Sequence, residues 1–177
     1  KARAEGLSGS TTISSSYTGV PLSESHFIVL QDTAAGQSRN LRVTPAYNYS
    51  SSLGEIRNFN LIVKSNSPPS VQVTSPGVAT VAGTINVMAA ASDPDGISPY
   101  NDSIASVSFQ YASSPYSAWF NIGNGALASG APASGVWSAS WNTLLVPVGS
   151  GYKVRAIASD TIGAVVMAES GLFSIVH

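Results

Sequence analysis

The residues of this 177-residue chain best placed to do chemistry are carboxylates. Asp93-Pro94-Asp95-Gly96 sets two of them in one turn, because proline fixes φ and lacks an N–H while glycine accepts left-handed angles. Asp160-Thr161-Ile162-Gly163 has the same turn character, and Asp102 lies on the loop that Asp93 opens. Asp93, Asp95 and Asp160 are hard oxygen donors of the kind Ca²⁺ accepts in irregular coordination by about six to eight oxygens. Asp102 could add another oxygen. The full EF-hand spacing is absent. The same residues also suit ordinary turns in which each Asp side chain caps backbone N–H groups. Both readings stay open on sequence alone.

Other chemistries have less behind them. Trp119, Trp137 and Trp141, with Tyr111 and Tyr116, could build a sugar-stacking platform. Trp137 and Trp141 alternate with Ser138 and Ser140, however, which assigns both tryptophans to a buried strand face. Trp119 follows the turn-like stretch Ser113 to Ser117 and is the candidate ligand-binding aromatic. His26 and His177 are the only histidines; a catalytic triad holds its His between nucleophile and carboxylate, whereas His177 is terminal and His26 opens a strand beside Glu24, where it reads as a capping or packed residue. No Gly-x-Ser-x-Gly elbow is present, and Gly123-Asn124-Gly125 reads as a turn, not a phosphate loop. Paired carboxylates could serve glycoside hydrolysis, but nothing else in the chain favours it. The expectation is a protein that is not an enzyme.

Composition narrows the partners. Charged residues make up 10% of the chain and net charge is −1, with the basic residues scattered. No basic stripe is available to neutralise phosphates, so no nucleic-acid partner is expected. No apolar run approaches the roughly 18 residues that suggest a membrane span, so no membrane insertion is expected. Cysteine is absent, which removes disulfides, thiolate metal sites and a Cys nucleophile. The chain begins at Lys1, as a mature form or an excised piece would. A charge-poor, cysteine-free β protein of small polar residues fits a secreted or cell-surface origin.

The elements that must hold these residues read as strands. From Gly83 to Gly96 the chain places Ile85, Val87, Ala89 and Ala91 on one side at period two, then leaves through the acidic turn. Val107, Phe109 and Tyr111 alternate with serines and Gln110. Tyr152, Val154, Ala156 and Ala158 face inward between Lys153 and Arg155. The stretch from Gly123 to Gly135 reads as a loop. With Val71 to Val73, Ala118 to Ile122, Ala164 to Val166 and Leu172 to Val176, these runs predict an antiparallel β-sandwich of immunoglobulin type over 70–177.

Residues 1–64 carry fewer strands: His26 to Gln31, Leu41 to Tyr49 with Pro45 inside it, and Ile56 to Lys64, after a Ser/Thr/Gly-rich, flexible start over 1–20 in which Thr11 to Tyr17 reads either as an edge strand or as a flexible arm. That is a smaller or truncated β-domain with exposed edges, and self-association through those edge strands follows as an expectation. Ser65 to Pro69 is a stiff, proline-containing linker between the two. In the sandwich, the second and sixth strands should both run towards the pole where the domain begins. Asp93, Asp95 and Asp160 would then meet near that linker.

Pro68-Pro69-Ser70-Val71-Gln72-Val73-Thr74-Ser75-Pro76, Ala91-Ser92-Asp93, Ile104 to Phe109, Trp141-Asn142-Thr143, Gly151-Tyr152 and Ala158-Ser159-Asp160 with Gly163 together resemble a bacterial Ig-like domain. The resemblance covers about 70–177. It implies a spacer or adhesion module, strung in tandem in secreted and surface proteins, with a protein or glycan partner and with Ca²⁺ stiffening some domain junctions. It also implies a tyrosine corner at Tyr152, whose hydroxyl would bond back to the loop at Leu145 to Gly149. The other functional reading is a carbohydrate-binding accessory module of a larger secreted hydrolase, anchored by Trp119.

Overall fold

The computed structural model describes residues 2–3, 9–14, 26–42, 44–52 and 54–177. Apart from 2–3 and 9–14, which are strands, the expected flexible start over 1–20 lies outside the described residues. The chain divides into two compact units, one of Lys1–Asn66 with Ile97–Asn101 and one of Ser67–Gly96 with Asp102–His177. The architecture is all-β, and among the described residues no helix is long and apolar enough to cross a membrane.

The strands of the first unit are β1 (Ala2–Arg3), β2 (Gly9–Ser14), β3 (His26–Asp32), β4 (Gln37–Asn40), β5 (Ala46–Ser51), β6 (Ile56–Arg57) and β7 (Phe59–Ser65). Among the described residues they form three small antiparallel sheets, β1 with β6, β2 with β5, and β4-β3-β7. Phe27, Ile28, Val29 and Leu30 of β3 are all buried, so this strand is covered on both faces, as its unbroken apolar run requires. Ile28 and Leu30 pack with Leu41, Tyr47, Tyr49 and Phe59. On the other side Phe27 lies 5.1 Å from the ring of Tyr100, whose carbonyl accepts the Asn40 side-chain amide at 3.0 Å. Residues 97–101 therefore complete this unit, although they lie outside the 1–64 span assigned to it from sequence.

Two of the expected strands are shorter than their apolar patterns suggest. Leu41 to Tyr49 yields strand only from Ala46, because Thr44 donates to the Asn40 carbonyl in a turn and Pro45 has no N–H for a ladder. Ile56 to Lys64 breaks at Asn58, whose carbonyl is taken by the Thr33 amide and hydroxyl.

The second unit contains β8 (Ser70–Ser75), β9 (Thr80–Val81), β10 (Thr84–Ser92), β11 (Ile104–Ser113), β12 (Phe120–Asn124), β13 (Ala126–Ala131), β14 (Ser134–Asn142), β15 (Gly149–Asp160), β16 (Val165–Glu169) and β17 (Phe173–Ile175). One sheet runs β13-β14-β10-β8; the other runs β12-β11-β15-β17-β9, with β16 also pairing β15. That order is the immunoglobulin arrangement of two sheets. The Gly123 to Gly135 stretch, expected as a loop, contains β13. Its six residues lack β-branched and aromatic side chains and owe their strand state to pairing with β14.

The core follows the alternation. Val87, Ala89 and Ala91 of β10 face Val107 and Phe109 of β11 and Val154, Ala156 and Ala158 of β15, all buried. Trp137 and Trp141 are buried too; Trp137 pairs directly with Ala89, whose small side chain leaves it room, and Trp141 pairs with Ile85. Trp141 stacks on Tyr111 at 5.0 Å and meets Phe173 edge-on at 6.2 Å. Tyr152 forms the expected corner, donating its hydroxyl to the Pro147 carbonyl at 2.7 Å.

Candidate metal centre

Three strand ends converge at the pole of the second unit where its chain begins. Asp93 follows β10, Asp102 precedes β11 by one residue, and Asp160 ends β15. Register sets Asp160 opposite Ile104 of β11, two residues from Asp102, and Asp93 at the start of the unit, where Ser92 of β10 pairs with Ser70 of β8. The Asp93 amide donates to the Ala133 carbonyl at 2.9 Å, and the Asp102 amide donates to the Asp95 carbonyl at 3.1 Å, closing the base of the loop. Gly96 is dictated here by space, since a Cβ would come within 2.7 Å of the Ala133 Cβ.

One carboxylate oxygen from each of Asp93, Asp102 and Asp160 lies within 4.8 Å of the others, and all three residues are buried. Ca²⁺–oxygen bonds of about 2.3–2.6 Å let one ion span oxygens so spaced. Asp95, expected beside Asp93 and Asp160, is not in this group. It is buried as well, but its Oδ2 accepts the Ser67 amide at 2.7 Å and so fastens the first residue of the unit.

The turn-capping reading of these aspartates leaves one oxygen of Asp93 and one of Asp102 unaccounted for. Asp160 Oδ1 accepts the amides of Ile162, Gly163 and Ala164 at 3.0, 2.6 and 2.8 Å. Asp93 Oδ1 accepts the Asp95 amide at 2.7 Å. Asp102 Oδ1 takes the Ser103 amide at 2.7 Å, the Thr161 amide at 3.2 Å and the Thr161 hydroxyl. The second oxygens of Asp93 and Asp102 are buried and have no hydrogen-bond partner. A buried ionised oxygen without a partner is costly, and like charges held this close add to the cost. Burial pushes the Asp93 carboxyl up to about 6; the Asp95 amide opposes that, and the charges of Asp102, Asp160 and Asp95 reinforce it.

A divalent cation fits this donor set. The unpartnered atoms are carboxylate oxygens, they are withdrawn from water, and they belong to the residues whose oxygens converge. Three carboxylates are a partial set for Ca²⁺, which draws further oxygens from backbone carbonyls and water. When bound, the ion would supply positive charge to three loops at once and no redox chemistry.

Trp119 sits between β11 and β12, half-buried, with the Arg155 guanidinium 4.4 Å from its ring centroid. One face of the expected sugar platform is thus already occupied. His26 ends near Ser65, with Nε2 3.4 Å from the hydroxyl, and His177 Nε2 lies 3.1 Å from the Thr143 carbonyl. No sequence pattern pointed to a buried network in the first unit, where Asp32 Oδ2 accepts hydrogen bonds from the Tyr47 hydroxyl and Arg57 Nε, both at 2.9 Å. Its members are 15 and 25 residues from Asp32, so no local spacing could reveal it.

Fold and site together define an all-β chain bearing an immunoglobulin-order sandwich with a carboxylate-lined candidate cation site at one pole. No family model matches the chain, and no curated protein matches it. Among solved structures it is similar to murine CRIg, at 12% identity and a TM-score of 0.34 over 62% of this chain and 97% of that one. It is also similar to a DUF3823 family protein from Bacteroides ovatus, at 11% identity and a TM-score of 0.34 over 94% of this chain and 98% of that one.

Proposed function

We propose that this chain is a non-catalytic structural and adhesion segment of a secreted or cell-surface protein, a spacer and protein-interaction module whose second unit is stapled by Ca²⁺. The observation that carries this reading is the pair of buried, unpartnered oxygens, Asp93 Oδ2 and Asp102 Oδ2, in residues converging on Asp160. A buried carboxylate group of this kind stays ionised when a cation neutralises it. Such an ion ties the loops of three strands together, which is a mechanical role. Extracellular fluids, rich in Ca²⁺, suit an ion held by a partial set of protein ligands.

The first unit supplies the interactive part of the proposal. Its described sheets are small, and β7 exposes Leu61 at 64% and Val63 at 51%. Edge pairing with another chain, including a second copy, would extend such a sheet and cover those side chains. A strict monomer by light scattering at high concentration would count against that element alone.

In the carbohydrate-binding reading, Arg155 takes one face of the Trp119 ring, so a sugar would have to stack on the other. The deciding experiment is a thermal melt with Ca²⁺, with Mg²⁺ and with EDTA. The midpoint should climb with Ca²⁺ concentration as mass action requires and fall back in EDTA. An unchanged midpoint at millimolar Ca²⁺ overturns the staple.

A further inference from the structure

Charge in the second unit is placed with unusual economy. Apart from the four aspartates of the pole, its Asp, Glu, Lys and Arg residues come down to Lys153, Arg155 and Glu169. All three lie on one outer sheet face: Lys153 and Arg155 alternate with the buried Val154 and Ala156 on β15, and Glu169 of β16 pairs with Arg155. The outer face of the other sheet carries none. Its positions there are Ser70, Gln72, Asn86, Met88, Ser138 and Ser140 and their like.

Each cation on the charged face is held by an aromatic ring from the loop between β11 and β12. Lys153 Nζ lies 5.0 Å from the Tyr116 ring centroid, and the Arg155 guanidinium 4.4 Å from that of Trp119. Tyr116 has φ of 62°, a left-handed backbone that a residue with a Cβ adopts at a cost, and its hydroxyl donates to the Gly151 carbonyl at 2.9 Å. The two cations then differ. Lys153 is neutralised by Glu169 at 2.8 Å. Arg155 donates Nε to Gln110 Oε1 at 2.8 Å and forms no ion pair among the described residues. Its plane is pinned by Gln110 and Trp119, and its terminal nitrogens have no protein acceptor among those residues. A fixed guanidinium fork with two idle nitrogens matches a carboxylate.

The surroundings select the source of that carboxylate. Ile157 neighbours Arg155 on the same face of β15, paired with Met167, and Ser159 is paired with Val165. Met167 and Val165 are 60% and 57% exposed. This is a flat sheet face with Arg, Trp, Tyr and Met together, the types enriched at protein contacts, beside exposed aliphatic surface. Of the hydroxyls on this face, those of Ser106 and Ser159 already bond each other at 2.8 Å.

We infer that the face formed by β11, β15 and β16 is a docking surface for a protein partner that presents an acidic side chain to Arg155, with apolar neighbours seated on Ile157, Met167 and Val165. This deepens the interaction-module reading above and rests on it, but it does not depend on the cation site. The test uses the full chain against an array of synthetic extended peptides, each with one Glu flanked by Leu and Val. A Gln twin of every peptide and oligogalacturonate, a carboxylated sugar, complete the set. Glu peptides should be captured, with their Gln twins at least about tenfold weaker. Arg155→Lys, checked by its melt to be folded, should lose about tenfold or more, because an ammonium offers no fork. Met167→Ser should lose a few-fold. Capture of no Glu peptide, equal capture of the Gln twins, or Arg155-dependent capture of oligogalacturonate in place of peptide would each overturn the inference. The Ca²⁺ melt on the same preparations separates its failure from failure of the structural reading.

Discussion

Asp32 in the first unit and Asp93 in the second begin from the same local chemistry. Each is buried, each stands where a strand gives way to a turn, and each uses Oδ1 to accept amides just downstream: Ala34 and Ala35 for Asp32, Asp95 for Asp93. They part at the second oxygen. Asp32 Oδ2 is met by the Tyr47 hydroxyl and the Arg57 guanidinium, whereas Asp93 Oδ2 has no partner and lies among other carboxylates. Burial alone would raise the Asp32 carboxyl, but the Ala35 amide, the Tyr47 hydroxyl and Arg57 outweigh it and hold it below its ordinary value. Asp93 has only the Asp95 amide as a counterweight and is pushed up to about 6. The first carboxylate is completed from within the chain, and the second has room for a completion from outside.

The comparison breaks most visibly if Asp32 is removed. Asp32→Ala leaves Arg57, whose side chain is only 15% exposed, without its best partner. Breaking a buried pair from one side costs about 3–5 kcal/mol. The loss should be the same in Ca²⁺ and in EDTA by chemical denaturation, and a Ca²⁺-dependent loss would mean the two carboxylates are not independent.

Next in size is the response of the pole. At Ca²⁺ about 100-fold above the dissociation constant, the second unit should gain about 2.7 kcal/mol. Asp102→Asn should abolish that gain. In EDTA the same substitution should be neutral or stabilising, because it removes one of three converging like charges. Asp32→Asn should destabilise in both conditions. A substitution at Asp102 that destabilised equally with and without Ca²⁺ would make the cluster an ordinary set of turn caps.

A smaller effect of opposite sign is expected from pH. In EDTA, the native state binds the Asp93 proton more tightly than the unfolded chain does, since its carboxyl sits at about 6 against an ordinary 3.8. Stability from this group therefore falls as pH rises from about 4 to 6 and is regained on acidification through that window. Asp32 behaves the other way. Its lowered carboxyl contributes fully above its unfolded value, and that contribution is lost only as pH falls below about 4. Unfolding curves at pH 7 and pH 5 in EDTA should separate for the parent protein and converge for Asp93→Asn. With Ca²⁺ bound, the ionised form is the favoured one and the gain on acidification should vanish.

Much of the second unit was legible because period-two alternation fixes which face is buried: Val87, Ala89, Trp137, Trp141 and Tyr152 all lie inside as their spacing demands. The pole was half legible. Turn chemistry pointed to Asp93 and Asp160, but choosing between Asp95 and Asp102 as their companion requires the register that pairs Ile104 with Asp160. Alternation also says nothing about β13, where Ala, Ser and Gly carry no pattern and the partner strand decides. The first unit was harder still. Its core joins Tyr47, Phe59 and Leu41 to β3 across turns whose hydrogen bonds, such as those to the Asn58 carbonyl, are set by tertiary contacts and not by propensity.

The two tyrosine hydroxyls give the finest version of the comparison. Tyr47 donates to a charged acceptor, Asp32, in a buried setting, while Tyr152 donates to a neutral one, the Pro147 carbonyl, where the bond is partly exposed. Hydrogen bonds to charged groups are worth about 1.5–3 kcal/mol and neutral ones about 0.5–1.5 kcal/mol. Tyr47→Phe should therefore cost more than Tyr152→Phe, although both remove one oxygen and leave the ring. Tyr47→Phe should also let the Asp32 carboxyl rise, because one of the groups that hold its pKa down is gone, so its cost should shrink below about pH 4. The cost of Tyr152→Phe should not change with acid. Equal, pH-independent losses for the two variants would show that Asp32 is held by Arg57 and the turn amides alone, and that the Tyr47 hydroxyl serves only to fill its site.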